Sequence, residues 1–164
     1  MKLLVLAIGG TIDKVYFDAL SDYQIGAPAA KEILQRVKVN FDFEVRQMIS
    51  KDSLEMTDAD RQEILSVVQD HSGKHVIITH GTDTMVDTGQ VLKQAVHKTI
   101  VIMGAMQPAI MKLTDADFNL GVAVAAVQTL SEGVYLCMNG RIYNVDRVVK
   151  NRAEGQFQDL GEGL

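Results

Sequence analysis

Hydrophobic positions along the chain follow two rhythms. Continuous apolar runs, Leu3-Leu4-Val5-Leu6-Ala7-Ile8 and Val76-Ile77-Ile78-Thr79, stop abruptly in glycine and hydroxyl residues, as strands buried on both faces do. Between such runs lie longer stretches with apolar residues at helical spacing, among them Ile64-Leu65-Val67-Val68. The pattern predicts strand 2–8, a long polar loop 9–27, helix 28–37, strand 43–49, helix 57–70 and strand 75–79. It continues with helix 84–97, strand 99–103, loop 104–117, helix 118–131 and strand 133–138. Thr57 before Asp58 and Asp60 reads as a capped helix start, and Gly73 as the stop of the same helix.

Strands alternating with helices require right-handed crossovers and a parallel sheet covered on both faces. The fold class is therefore α/β, a doubly wound, mostly parallel sheet in a Rossmann-like or flavodoxin-like three-layer sandwich. Asn139-Gly140, between Tyr135-Leu136-Cys137-Met138 and Arg141-Ile142-Tyr143, adds a terminal β-hairpin, because a type I′ turn needs positive φ at both central residues. Residues 1–164 read as one domain. Within it, 151–164 is expected to be a flexible tail, since 154–164 holds three glycines and little apolar pattern.

Composition narrows the function. At 164 residues and 47% hydrophobic, the chain can bury a substantial core. A net charge of −5, with no Lys/Arg block, argues against phosphate neutralisation, so no nucleic-acid partner is expected. The first apolar run is too short for a membrane span or a signal-peptide core, so the expectation is a cytoplasmic protein with no membrane partner. Cys137, the single cysteine, lies in an alternating apolar run and reads as core. His71, His75, His80 and His97 lack ligand spacing with Cys or carboxylates, so no metal is expected, and no cofactor. His80 reads as a packed or hydrogen-bonded histidine.

The chemistry is expected where two runs end alike, at Gly9-Gly10-Thr11-Ile12-Asp13 and His80-Gly81-Thr82-Asp83-Thr84. In open α/β sheets ligands bind outside the carboxyl ends of strands. A threonine hydroxyl is a poor nucleophile near neutral pH and needs a base or proton sink nearby. Asp83 beside Thr82 can hold such a Lys or a substrate ammonium, and Lys150 is the candidate. Glycines admit a substrate carbonyl to backbone N–H groups, which stabilise the oxyanion of acyl transfer, so amide or ester cleavage is the reaction class indicated. Taken alone, Thr82-Asp83 reads first as a well-capped helix start, and Ser53 equally as a turn or cap. Neither GxGxxG nor GxxxxGK[ST] is present for a nucleotide loop.

Ile8-Gly9-Gly10-Thr11-Ile12 and Thr79-His80-Gly81-Thr82-Asp83-Thr84 resemble the TGGTI and THGTDT motifs of the bacterial-type asparaginase/glutaminase family, the first departing at Ile8. Asp52-Ser53 with Met56-Thr57 resembles the family's substrate-binding turn, and Gly104-Ala105-Met106-Gln107-Pro108 its GAMRP loop. Asp115 with Phe118-Asn119-Leu120 resembles the loop entering the next helix, and Asp146-Arg147-Val148-Val149-Lys150 the RDVxK segment.

The resemblance implies Thr11 as the acyl-accepting nucleophile, Thr82 as the second catalytic threonine and Lys150 as its proton partner. Ser53 and Asp83 would hold the substrate's α-carboxylate and α-ammonium, with Gly10, Asp52, Gly81 and Ala105 completing the binding set. Tyr23-Gln24-Ile25-Gly26 is similar to the family's mobile lid, which implies a Tyr23 hydrogen bond to Thr11 on closure. The resemblance further implies asparagine or a related small amide as substrate, and a homo-oligomer. It covers the family's N-terminal domain, and the family's smaller C-terminal domain is expected to be absent here. The alternative is a catalytically weak or silent binding domain for aspartate-like ligands that needs a partner chain.

Overall fold

A computed structural model describes residues 1–161 of the chain. The last part of the expected tail, 162–164, lies outside the described residues. Six strands form the main sheet: β1 (Lys2–Gly9), β4 (Asp42–Lys51), β5 (His75–Thr79), β6 (Thr99–Met103), β7 (Gly133–Met138) and β8 (Arg141–Asn144), in the order β4-β1-β5-β6-β7-β8. All pairs are parallel except β7 with β8. The expected α/β class and the Asn139-Gly140 hairpin are present, with Asn139 at φ 55° and Gly140 at φ 76°.

Helices α1 (Ala29–Arg36) and α4 (Ala116–Thr129) cover one face, and α2 (Asp58–Asp70) and α3 (Met85–Leu92) the other. Along β1, Leu3 and Val5 point into the α1/α4 layer while Leu4, Leu6 and Ile8 point into the α2/α3 layer. A strand buried on both sides needs apolar residues at every position, which is why its sequence reads as an unbroken run. Cys137 is fully buried in the α1/α4 layer.

Helix α2 starts as expected. Thr57 accepts from the Asp60 N–H and the Asp60 carboxylate accepts from the Thr57 N–H, a reciprocal cap.

Four expectations are corrected. The polar loop 9–27 contains a hairpin, β2 (Lys14–Phe17) paired antiparallel with β3 (Asp22–Ile25). Tyr16 and Phe17 remain about half exposed, so the hairpin leaves no one-sided apolar pattern. Helix 84–97 stops at Leu92, where the Ala95 N–H bonds the Leu92 carbonyl in a tighter turn and Val96 faces solvent. Helix 118–131 instead runs over Ala116–Thr129, with Asp115 at its start.

The stretch 151–161 is not a free tail. Strand β10 (Gln156–Asp159) pairs antiparallel with β9 (Val148–Asn151) and buries Phe157 in the α2/α3 layer. Only one large side chain of β10 is buried, so composition hid the strand.

The β9–β10 hairpin is tied to the sheet by Tyr143, almost fully buried, whose hydroxyl donates to the Phe157 carbonyl at 2.8 Å. Tyr143→Phe leaves that carbonyl without its donor, and the expected loss of stability is about 1–2 kcal/mol. Urea unfolding followed by circular dichroism checks this through a lower midpoint at unchanged slope.

Candidate active site

The parallel register sets the carboxyl ends of three neighbouring strands level: Ala7 of β1 pairs with Thr79 of β5, which pairs with Met103 of β6. The turns that follow, at Gly9-Gly10-Thr11, His80-Gly81-Thr82 and Gly104-Ala105, therefore leave the sheet side by side. Between β1 and β4 the register slips, Ala7 pairing with Gln47 but Gly9 with Lys51, so the chain after β4 also arrives at this edge.

The turns meet through missing side chains. Gly10 has φ 88°, and a Cβ there would lie 2.4 Å from the Gly81 nitrogen and 2.5 Å from its Cα. A Cβ on Gly81 would lie 2.6 Å from both Cβ and Oγ of Ser53. Thr11, half-buried, opens the short 3-10 turn Thr11–Asp13 next to Gly10. Gly10, Gly81 and Ser53 are thus in contact, with Thr11 and Thr82 each one residue from that junction.

Lys150 reaches the junction from β9. Its Nζ donates to Thr82 Oγ1 at 2.7 Å and to Asp83 Oδ1 at 2.7 Å. The Lys150 side chain is 12% exposed and Asp83 34%, while Thr82 is buried. Because Thr82 Oγ1 accepts from Lys150, its own hydroxyl hydrogen is left free for another partner. Among the described residues the Thr11 hydroxyl has no hydrogen-bond partner.

Neighbouring groups fix this arrangement. His80 is fully buried with Nδ1 2.7 Å from the Gly81 carbonyl and Nε2 2.7 Å from Thr88 Oγ1. A carbonyl only accepts, so Nδ1 carries the proton and Nε2 accepts from the Thr88 hydroxyl. Burial pushes the His80 pKa down to about 4, so the ring is neutral near pH 7, a structural histidine as expected. Thr84 Oγ1 donates to the Ser53 carbonyl at 2.8 Å, tying the two turns again. Ala105 is buried, and the next two N–H groups, of Met106 and Gln107, donate to the Asp115 carboxylate at 2.9–3.0 Å. Asn119 Nδ2 donates to the Gly104 carbonyl and to Asp115.

The remaining expected residues are placed differently. Asp52 accepts from the Leu54 N–H and from Lys14 Nζ at 3.1 Å, which holds its carboxyl below the usual range. It shapes the Ser53 turn and links it to β2. Tyr23 is 42% exposed in β3, its ring edge-on to Tyr16 with centroids 5.6 Å apart, and among the described residues it forms no hydrogen bond to Thr11. Lys14 and Thr88 escaped the sequence reading, and Thr84 was given no role of its own there, because their partners lie on other elements. Among the described residues, no cluster of three His, Cys, Asp or Glu side chains is placed to hold a metal ion.

The family described as "Asparaginase, N-terminal" matches residues 2–158. A protein of Haemophilus influenzae named "Probable L-asparaginase periplasmic" is 31% identical over 160 residues, covering 91% of this chain and 46% of that one. Two solved structures superpose closely. The thermostable L-asparaginase from Thermococcus kodakarensis gives a TM-score of 0.83 at 29% identity, over 97% of this chain and 51% of that one. The probable cytoplasmic L-asparaginase from Campylobacter jejuni gives 0.82 at 26%, over 98% and 53%. The chain spans about half the length of these relatives. With this match over nearly its whole length, and with the strand-end turns in contact, the chain belongs to the asparaginase N-terminal family.

Proposed function

We propose that the protein hydrolyses the side-chain amide of L-asparagine, or of a similar small amide, to the acid and ammonia. The observation that carries this reading is the Lys150–Thr82–Asp83 cluster at the end of β5, next to the Gly10–Gly81 junction. In the proposed reaction the Thr11 hydroxyl oxygen attacks the amide carbonyl carbon. Its proton passes through the Thr82–Lys150 pair to the departing nitrogen, which leaves as ammonia. The resulting ester on Thr11 is cleaved by water, which restores the hydroxyl and releases the carboxylic acid. Ser53 binds the α-carboxylate, and Asp83 the α-ammonium through its oxygen not held by Lys150. Gly10, Gly81 and Ala105 form a side-chain-poor floor that a carbonyl can approach closely.

We further propose a homo-oligomer and a cytoplasmic location. Met106, Ile110, Leu113 and Phe118, 40–83% exposed around the β6–α4 connection, support association through an apolar patch. The Campylobacter neighbour's description supports the location. Sedimentation velocity is expected to give a mass above that of the 18.0 kDa chain, and a monomer at all concentrations overturns the association.

Ammonia release from L- and D-asparagine, glutamine and simple amides tests the reaction. Activity is expected with asparagine, and Thr11→Ala and Thr82→Ala are each expected to abolish it in folded protein. Saturable aspartate binding without ammonia would instead establish a silent binding domain. Lys150→Met removes the proton partner while keeping the packed stem, and kcat is expected to fall by about 10²–10⁴. Retention of full kcat in that variant would refute the proton-transfer role.

A further inference from the structure

Asp13 lies two residues past Thr11, and the reaction proposed above gives it no role. It is 3% exposed, and among the described residues it forms no ion pair. Three of its groups hold three different pieces of chain. Its N–H donates to the Gly10 carbonyl at 3.2 Å, closing the turn that contains Thr11. Its carbonyl accepts from the Gly26 N–H at 2.7 Å, fastening the exit of the β2–β3 hairpin. Its carboxylate Oδ1 accepts from the Ala29 N–H at 2.8 Å, fastening the first residue of α1. The hairpin therefore starts and ends on one residue.

A cleft of about 480 Å³ opens beside this residue, lined by Asp13, Val15, Lys31, Arg36, Ala109 and Ile110 among others. The charged groups facing it come from β2 and α1. Lys14 is drawn to Asp52 at 3.1 Å, Arg36 to Asp117 at 2.6 Å, and Lys31 and Glu32 stand exposed on the rim. The β6–α4 connection contributes only the apolar Ala109 and Ile110 to this cleft.

We infer that Asp13 is a proton-linked clasp, a positioning residue whose backbone ties the hairpin exit to the Thr11 turn and whose buried carboxyl holds that closed form when neutral and loosens it when ionised. Burial outweighs the Ala29 hydrogen bond and raises its pKa from 3.8 to about 6. Opening the hairpin root through the cleft exposes the carboxyl and restores its ordinary value. The closed form then binds the proton more tightly, so it is favoured at low pH. That advantage is lost as pH rises from about 3.8 through about 6 and is constant above. The clasp bears on catalysis only through the role proposed for Thr11.

Hydrogen exchange of amides 14–27 in the full chain, corrected for intrinsic rates, tests it. Hairpin protection is expected to fall about twentyfold between pH 4.5 and pH 7, while β5 amides keep theirs. Asp13→Asn, which still accepts the Ala29 N–H but does not titrate, is expected to retain high protection at both pH values. Asp13→Ala is expected to lose it at both. A wild-type hairpin whose protection does not change with pH, or an Asn variant that keeps the wild-type dependence, overturns the inference. The readout needs no turnover, so the two readings fail separately. PH-dependent protection without ammonia release leaves the clasp standing and removes the hydrolase. Ammonia release with flat protection does the reverse.

Discussion

The absence of a Cβ at Gly10 and Gly81 is the constraint on which the site depends. Parallel pairing delivers the ends of β1 and β5 at one height, but side chains would then hold the two turns apart. With hydrogens in their place, the Gly10 backbone rests on Gly81 and the Gly81 backbone on Ser53, at separations no real Cβ would permit. Gly10 also adopts φ 88° with ψ −173°, a conformation open essentially to glycine alone. A methyl at either position would push three turns outward together, carrying Thr11 and Thr82 apart. Gly104 repeats the device, its missing Cβ giving room to the His80 carbonyl and the Thr82 methyl.

How much of this the sequence disclosed depended on burial. The strands of the sandwich were legible because both their faces are covered, which leaves an unbroken apolar run ending where the polar turn begins. The β2–β3 hairpin was not legible, since Tyr16, Phe17 and Tyr23 stay 42–50% exposed and its strands have no inward face to mark. Strand β10 offered only Phe157. Helix α3 was read too long because Ala95 and Val96 extend the helical spacing, although Val96 is 71% exposed and the backbone has already tightened after Leu92. The site divides in the same way. Glycines and threonines at strand ends show locally, whereas the Lys14–Asp52 pair joins residues 38 apart and the His80–Thr88 bond joins a strand end to the middle of α3.

The position of Lys150 shows how a small hairpin becomes part of a site. By residue type it is an ordinary solvated lysine, and only its place after Asp146-Arg147, in a segment resembling the family's RDVxK, marks it. Its location follows from Val148 and Phe157, buried on the α2/α3 face, and from the Tyr143 hydroxyl that takes up the Phe157 carbonyl. Those contacts seat β9, and Lys150, two residues after Val148 and so on the same side of the strand, reaches Thr82. The segment read as a tail thus seats the hairpin strand that carries the proposed proton partner.

Stability alone gives little reason for the Lys150–Thr82–Asp83 arrangement. An ion pair with one partner a third exposed contributes roughly 0–1 kcal/mol. Immobilising a lysine stem that is nearly buried costs about 1.5–2 kcal/mol of side-chain entropy. An apolar residue at position 150 would pack against the same surface without that loss. A lysine amine held against a threonine hydroxyl at the end of a buried strand, where two glycine turns touch, suits instead the proton transfer proposed above, and proteins accept such local losses at functional sites. The balance of energies therefore points the same way as the geometry, towards the chemistry proposed for the cluster.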